Sequence, residues 1–299
     1  MLGDIIRSLR KQAGLSQEEL ADGICSAVSI SRIENGVQMP SSAVLDKILD
    51  KLGAGTYQIC NIYYRNEKQL TFEKNAEEIK QLISQGKLSE ANDKLETLKD
   101  FAKDDTSNMQ YYILLASSIK LYENRDVSEI IFELKNALKL TKSDFNFADF
   151  QNMLLSPLEI NILNALIAAM YKNGDILDAI RLGEELFKSM EKHESKLKEY
   201  QVSKINLSFN LAQCMEKEHR YKEALNYCEI AEKLSLNSTE QMLLPEIEFI
   251  KAKAYHLLGR DNECIQIIKA IVPYMELIHK TEVAKLARDY ALNELDIKL

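Results

Sequence analysis

The sequence predicts an all-α protein, in which a group of short helices precedes a series of longer helical hairpins. Glycine and proline are scarce, with 10 Gly and 4 Pro in 299 residues, and this scarcity favours long helices over turn-rich sheets. Apolar residues recur at helical rather than alternating spacing. After residue 66, a turn signal followed five residues later by a small or apolar residue returns every 39 to 49 residues. Such a period is typical of stacked helical hairpins.

The distribution of charge narrows the possible partners. The net charge is −8, yet residues 1–65 contain seven Lys/Arg and seven Asp/Glu, so the whole acidic excess lies in residues 66–299. This distribution argues against a broad electrostatic grip on nucleic acid. It allows a small local one, in which a few side chains meet phosphates.

Several protein classes are disfavoured by what the sequence lacks. No apolar run approaches the roughly 18 residues of a membrane span, and the N-terminus has no apolar secretion-signal core. The five cysteines form no C-x-x-C pair, which indicates reduced thiols in a cytoplasmic protein. The four histidines lack metal-ligand spacing, and no nucleotide-binding or hydrolase motif is present. We therefore expect no enzyme activity, no metal, no cofactor and no membrane partner.

The first 65 residues are predicted to form five short helices, at 3–13, 17–24, 27–34, 40–52 and 56–67. Ser16 and Glu19 form a capping box at the start of the second helix, and Ser26 caps the third. The connection between the second and third helices is tight, as in a helix-turn-helix domain. In such domains the third helix enters the major groove, and its N-terminal residues face the base edges.

Two segments carry a specific resemblance. GLSQEELA at 14–21 and SISRIENG at 29–36 resemble the Xre/phage-repressor helix-turn-helix. The resemblance implies base contacts from the third helix and phosphate contacts from its neighbours. The implied base-facing residues are Ala27, Val28, Ser29 and Arg32, and the implied phosphate contacts are Gln17 and Asn35.

Structural alternatives remain open for some of these residues. Arg32 is the only base-facing residue able to make a bidentate contact with guanine, and Val28 is suited to a thymine methyl group. Alternatively, Val28 belongs to the core, and Arg32 contacts only phosphate. Arg10 and Glu34 fit the buried ion pair of several such domains, which competes with a DNA contact for Arg10.

The remaining sequence predicts a right-handed superhelix of tetratricopeptide-like hairpins. One hairpin cannot bury both of its faces, so neighbours stack and leave a concave surface. Ser156, Pro157 and Glu159 provide a capping box and an N1 proline for one helix. Pro245 starts or kinks a later helix, and Pro273 is expected to precede a last helix at 274–297. The turn residues are Gly86, Arg125, Gly174, His219 and Gly259, followed by Ala91, Ile130, Ala179, Ala224 and Cys264.

Asparagines in the repeats indicate a peptide site. An asparagine amide offers both a donor and an acceptor, which matches one peptide unit. Asn164 lies ten residues before Gly174, and Asn210 lies ten residues before Arg220, so the two occupy nearly equivalent places. The candidate peptide-binding residues are Asn161, Asn164, Asn206, Asn210, Lys204 and Lys251, with the lysines meeting carboxylates. The alternative is that these asparagines are ordinary polar groove residues without a ligand.

The repeat half also resembles a known family. The connection between Ala21 and Ser29 is one residue shorter than in most Xre-type domains, and the asparagines in LNA at 163–165 and FNL at 209–211 match peptide-clamping asparagines. Both features resemble the PlcR-like peptide-pheromone regulators of the RRNPP group. The resemblance implies a quorum-sensing regulator whose repeat domain binds a short signalling peptide.

These observations together predict a two-domain transcriptional regulator. The predicted parts are a DNA-binding domain at 1–65, a linker at 66–72 and a repeat domain at 73–299 for peptide sensing and dimerisation. The expected partners are a double-stranded DNA operator, a short signalling peptide and a second copy of the chain. Two alternatives remain, a constitutive dimeric repressor without a peptide and a repeat scaffold that binds a partner protein.

Overall fold

The computed structural model describes residues 2–52, 67–103, 105–123, 125–193, 198–238 and 243–297, and all regular structure within them is helical. The predicted fifth helix, 56–67, lies outside the described residues except for its last position. The N-terminal helices are α1 (Leu2–Gln12), α2 (Gln17–Ala21), α3 (Ala27–Glu34) and α4 (Ser42–Lys51). The longer helices are α5 (Glu67–Ser84), α6 (Leu88–Ala102), α7 (Thr106–Tyr122), α8 (Val127–Lys139), α9 (Pro157–Asn173), α10 (Ile176–Lys192), α11 (Lys198–Lys217), α12 (Tyr221–Leu236), α13 (Leu244–Leu257), α14 (Asp261–Leu277) and α15 (Thr281–Leu295).

Local hydrogen bonds set the boundaries of the short helices. The capping box is present, because Ser16 Oγ accepts from the Glu19 N–H at 3.1 Å and the Ser16 N–H donates to Glu19 Oε2 at 2.7 Å. Ser26 Oγ likewise accepts from the Ser29 N–H at the start of α3. Helix α2 ends at Ala21 rather than at the predicted residue 24. Gly23 follows with φ 75°, a conformation in which glycine is favoured and the helix cannot continue.

The four short helices close over one apolar core. Each helix contributes residues that are fully or almost fully buried, and the apolar spacing of the sequence puts them on one face. Core residues include Leu2, Ile6, Leu20, Ile30, Ile33, Leu45, Ile48 and Leu49.

The longer helices pack as hairpins whose turns follow the predicted pattern. Gly86, Gly174, His219 and Gly259 all adopt positive φ values, between 59° and 91°. The small or apolar residues predicted to follow these turns are completely buried, which confirms their packing role: Ala91, Ile130, Ala179, Ala224 and Cys264. At Arg125 the turn is built differently, because Asp126 caps α8 by accepting from the Ser128 and Glu129 N–H groups.

The C-terminal end differs from the sequence prediction. Pro273 lies inside α14 instead of preceding the last helix. Its ring is exposed, while Val272 and Met275 beside it are buried, so packing on both sides of the proline compensates for the one backbone hydrogen bond it removes. The last helix begins at Thr281, after a turn in which His279 adopts φ 61°. Pro245 lies in the first turn of α13, which confirms the alternative that it starts a helix.

The chain divides into two compact units, residues 1–173 with 188–195, and residues 174–187 with 196–299. In the first unit, helices α5 to α8 surround a core that includes Phe72, Ile79, Leu98 and Ile119. In the second, α11 to α15 bury Ile205, Ala231, Ile268 and other residues. Helix α5 begins at Glu67, so residues 67–72 of the predicted linker are helical. The domain division at 65 and 73 stays a prediction.

Candidate DNA-binding and peptide-binding sites

A buried carboxylate ties the first three helices together. Glu34, at the end of α3, is only 2% exposed. Arg10 donates to it twice, from Nε at 2.6 Å and from Nη2 at 3.0 Å, and Gln17 Nε2 donates at 2.8 Å. Arg10 Nη1 also donates to the Leu15 carbonyl at 2.8 Å. The ion pair is therefore present, and Arg10 has a structural role.

The Glu34 network also fixes a charge state. Burial by itself raises the pKa of Glu34, but the hydrogen bonds from Arg10 and Gln17 outweigh it, so the pKa lies below the ordinary glutamate value. Glu34 is thus ionised at neutral pH and holds the arginine on α1 against α3. The contact of α1 and α2 with α3 is rigid, because three donors converge on the Glu34 carboxylate.

A close approach of two backbones supports the same arrangement. A Cβ atom placed on Gly3 would lie 2.4 Å from the Ile33 carbonyl oxygen and 2.6 Å from that of Glu34. Only glycine fits at this crossing of α1 and the end of α3. Sequence reasoning missed this position, because a glycine near a chain start carries no local signal of what crosses it.

The outward face of α3 carries two of the predicted base-facing side chains. Val28 is 61% exposed, so the alternative that it belongs to the core is wrong. Arg32, one helical turn further on, is exposed. Its side chain makes no hydrogen bond or ion pair within the part of the chain that the structure describes. Because residues four apart share a helix face, the valine and the guanidinium project together.

The other two predicted base-contacting residues, Ala27 and Ser29, are less exposed than Val28 and Arg32. Ala27 is partly buried and packs against the core of the short helices. The Ser29 hydroxyl lies 2.9 Å from that of Ser26, inside the cap of α3. Their predicted roles at DNA remain predictions, and of the four predicted base-facing residues only Val28 and Arg32 are exposed.

The predicted phosphate contacts are both anchored within the domain. Gln17 uses one amide hydrogen on Glu34, and the Asn35 side-chain oxygen accepts from Arg7 Nη2. Arg7 Nη2 also donates to the Glu34 carbonyl at 3.1 Å. Each amide carries two N–H groups, so the second hydrogen of Gln17 and both of Asn35 are left by these bonds for an acceptor. Arg7, which holds Asn35, was not singled out by the sequence.

Turn conformation gives the true register of the candidate peptide-binding asparagines. Asn161 on α9 and Asn206 on α11 each lie thirteen residues before the left-handed turn residue of their own hairpin, Gly174 and His219. Asn164 and Asn210 lie ten and nine residues before the same turns. Counted from the residues with positive φ, Asn164 and Asn210 differ by one residue in their distance to the turn, so their places are nearly equivalent but not identical.

The burial of these asparagines also differs. Asn164 is 6% exposed, whereas Asn161, Asn206 and Asn210 are half-buried. Asn161 and Asn164 belong to the first compact unit, and Asn206 and Asn210 to the second. On α11 the last two lie one turn apart, so one face of that helix presents two amides.

The two candidate lysines already have partners. Lys204 Nζ lies 5.3 Å from the centroid of the Phe187 ring. Lys251 Nζ lies 2.7 Å from Glu232 Oε2 and 3.3 Å from Glu248 Oε1. The charge of Lys251 is thus compensated within the chain, and a peptide carboxylate would have to displace one of the two glutamates to meet it.

Membrane and metal features are lacking in the described ranges. No helix there is long and apolar enough to cross a membrane. The same residues contain no group of three or more His, Cys, Asp or Glu side chains that could hold a metal ion.

Comparison with known families decides the nature of the N-terminal segment. Residues 6–57 match the family model described as helix-turn-helix. This segment is a helix-turn-helix domain. Its second and third helices are α2 and α3, so the match covers the Glu34 network and the exposed face of α3. No curated protein matches the chain.

Solved structures share the fold along nearly the whole chain. PlcR of Bacillus thuringiensis in complex with the peptide PapR7 and DNA has 20% identity and a TM-score of 0.64, covering 96% of this chain and 98% of that one. ComR from S. thermophilus in complex with DNA and its signalling peptide ComS has 15% identity and a TM-score of 0.53, covering 98% and 99%. A putative transcriptional regulator from Listeria monocytogenes EGD-e has 15% identity and a TM-score of 0.53, covering 99% of each chain. The predicted all-α fold and the resemblance to PlcR-like proteins are confirmed at the level of fold.

Proposed function

We propose that this protein is a cytoplasmic transcriptional regulator, which binds a DNA operator through its helix-turn-helix domain and responds to a short signalling peptide in its repeat domain. The observation that carries the proposal is the outward face of α3. Val28 and Arg32 project from a helix that is fixed by the Glu34 network. A helix-turn-helix domain binds DNA rather than catalysing a reaction, so we infer no enzyme activity.

In the proposed complex, α3 lies in the major groove. Arg32 donates two hydrogen bonds to a guanine, and Val28 packs against a thymine methyl group. Gln17 and Asn35 donate to phosphates on either side, which fixes the register of the helix without reading sequence. In a dimer, two such heads would read half-sites about 34 Å apart. The local character of these contacts is consistent with a domain whose net charge is close to zero.

The peptide part of the proposal rests on fold and on side-chain chemistry. The solved PlcR and ComR structures with this fold contain both a signalling peptide and DNA. In this chain Asn206 and Asn210 lie one turn apart on α11 and are half-buried, so one face of that helix offers two amides to a peptide backbone. The peptide would control the regulator only through a difference in affinity between two arrangements of the chain.

A direct experiment tests both parts. Duplexes selected from a random pool on the full-length protein provide a labelled operator, and fluorescence anisotropy then measures its affinity with and without short synthetic peptides. The peptides are taken from the open reading frames that neighbour the gene. Specific binding that a peptide changes at least tenfold supports the proposal. Specific binding that no peptide alters indicates a constitutive repressor, and failure to select any duplex contradicts the regulator.

A further inference from the structure

The C-terminal helical hairpin leaves an apolar surface uncovered. Ala270, Pro273, Tyr274 and Leu277 on α14 are all exposed, Leu277 to 76% and Tyr274 to 39%. Their spacing of three, four and seven residues puts them on one face of the helix, which we call the α14 stripe. The opposite face of α14 packs against its neighbours through Cys264, Ile268, Ile271, Val272 and Met275. The stripe is therefore a second apolar face on a helix that is already anchored.

Charges beside the stripe are self-complementary. Lys269 stands near its N-terminal end, is exposed, and makes no ion pair within the described residues. Glu276 stands near its C-terminal end, is also exposed, and among the described residues its carboxylate pairs with Arg288 of α15. If two copies of α14 pack antiparallel about a twofold axis beside Pro273, Lys269 of each copy lies level with Glu276 of the other. The pairing occurs twice, as in any isologous interface.

We infer that the α14 stripe is the surface on which a second copy of this chain docks. The inference rests on the proposed function to the extent that the regulator acts as a dimer, and it names the helix that joins the two copies. A bound peptide suits the stripe poorly, because Tyr274 is its only side chain with a hydrogen-bonding group. A lipid surface would favour a basic border, whereas here one lysine is balanced by one glutamate.

A cysteine at the centre of the stripe tests the geometry directly. In the proposed dimer the two copies of Pro273 lie next to the twofold axis, so Pro273→Cys should form a disulfide-linked dimer under mild oxidation on a non-reducing gel. The matched control is Leu177→Cys, because Leu177 is an equally open apolar residue, 61% exposed, on α10. The wild-type chain reports any background from native thiols, of which Cys214, Cys228 and Cys264 are buried. Equal crosslinking of both variants, or of neither, contradicts the inference.

A charge in the stripe provides a second measurement on the full chain. Leu277→Glu should raise the dimer dissociation constant at least tenfold in sedimentation equilibrium, because two carboxylates would enter one apolar contact, whereas Leu177→Glu should leave it unchanged. Circular dichroism checks that both variants are folded. A wild-type dimer that Leu277→Glu does not weaken overturns the docking surface while operator binding still supports the regulator. A wild-type chain that stays monomeric overturns the docking surface together with dimeric regulation.

Discussion

The Arg32 side chain is free to contact another molecule. It is exposed on α3 and makes no bond within the described residues, while its neighbours on the inner face, Ile30 and Ile33, are buried in the core. A guanidinium offers a planar fork that matches guanine, and a lysine ammonium does not. The difference between the two cations can therefore separate base reading from simple charge.

We expect Arg32→Ala to lower the affinity for the selected operator by about 10- to 100-fold, the loss of one bidentate base contact. Arg32→Lys keeps the charge and serves as the matched control, and it should lose nearly as much on the operator. Both variants should bind scrambled duplexes almost as wild type does. Fluorescence anisotropy at fixed salt measures these affinities. If Arg32→Lys restores operator binding, Arg32 contacts only phosphate.

Glu34 makes the stability of the helix-turn-helix domain dependent on pH. Its pKa is lowered in the folded chain, because the hydrogen bonds from Arg10 and Gln17 outweigh burial. A lowered pKa contributes stability that is fully present above the unfolded glutamate pKa, about 4.3. That stability is lost as the pH falls through the folded value. The domain should therefore loosen in acid before the repeats do.

Hydrogen exchange of residues 2–52, compared with α5 to α15 at neutral pH and at pH values below about 4.3, measures this loosening. Glu34→Gln should remove most of the pH dependence and lower the stability of the domain by about 3 kcal/mol at neutral pH, because Arg10 is left buried without its anion. Glu191→Gln, at an exposed carboxylate on α10, should change neither property. An unchanged acid response in Glu34→Gln would exclude Glu34 as its source.

At the scale of elements, the backbones of α1 and α3 lie too close together at Gly3 for any residue that has a Cβ atom. Gly3→Ala would push a methyl group against the Ile33 and Glu34 carbonyls, and backbone oxygens held in a helix cannot move aside. We expect the substitution to destabilise the domain by about 1–3 kcal/mol and to weaken operator binding in parallel. Urea unfolding followed by circular dichroism measures the first effect, and anisotropy measures the second.

Gly183→Ala is the matched control for this substitution, at a glycine inside α10. A Cβ atom there would lie 2.6 Å from Leu211 Cδ2, which is the end of a flexible side chain. Because a side-chain end shifts more readily than a backbone oxygen held in a helix, the stability loss should be smaller than for Gly3→Ala, and operator binding should not change. A larger loss at Gly183 would show that the α1–α3 crossing is less tightly fixed than its geometry indicates.

At the scale of the whole molecule, the regulator depends on coupling between the repeats and the DNA-reading head. Asn206→Ala should weaken peptide binding by about 3- to 10-fold, the net contribution of one hydrogen bond. If this bond is made in only one of the two arrangements of the chain, the peptide effect on operator affinity at saturating peptide should fall by the same factor. Operator affinity without peptide should stay at the wild-type value.

Asn226→Ala is the control for this variant, since Asn226 is exposed on α12 and outside the predicted set. Isothermal titration calorimetry measures the affinity for the peptide, and fluorescence anisotropy measures the affinity for the operator. If Asn226→Ala and Asn206→Ala weaken peptide binding equally, Asn206 is not a peptide contact.

The sequence by itself determined the features whose causes are local. The capping box at Ser16, the cap at Ser26 and the start of α13 at Pro245 all depend on residues within one helical turn of each other. The buried positions that follow the hairpin turns depend on spacing alone, so a single chain is enough to find them. The two sequence segments at 14–21 and 29–36 likewise located the helix-turn-helix from a single chain.

Only the tertiary structure decided features that join residues distant in the chain. The exposure of Val28, the closeness of Gly3 to Ile33, the bond from Arg7 to Asn35 and the glutamates around Lys251 all depend on how helices cross. A crossing angle leaves no mark on the spacing of residues within either helix. The spacing of the repeats indicated a turn at His219, but only the structure showed that this non-glycine residue adopts a positive φ.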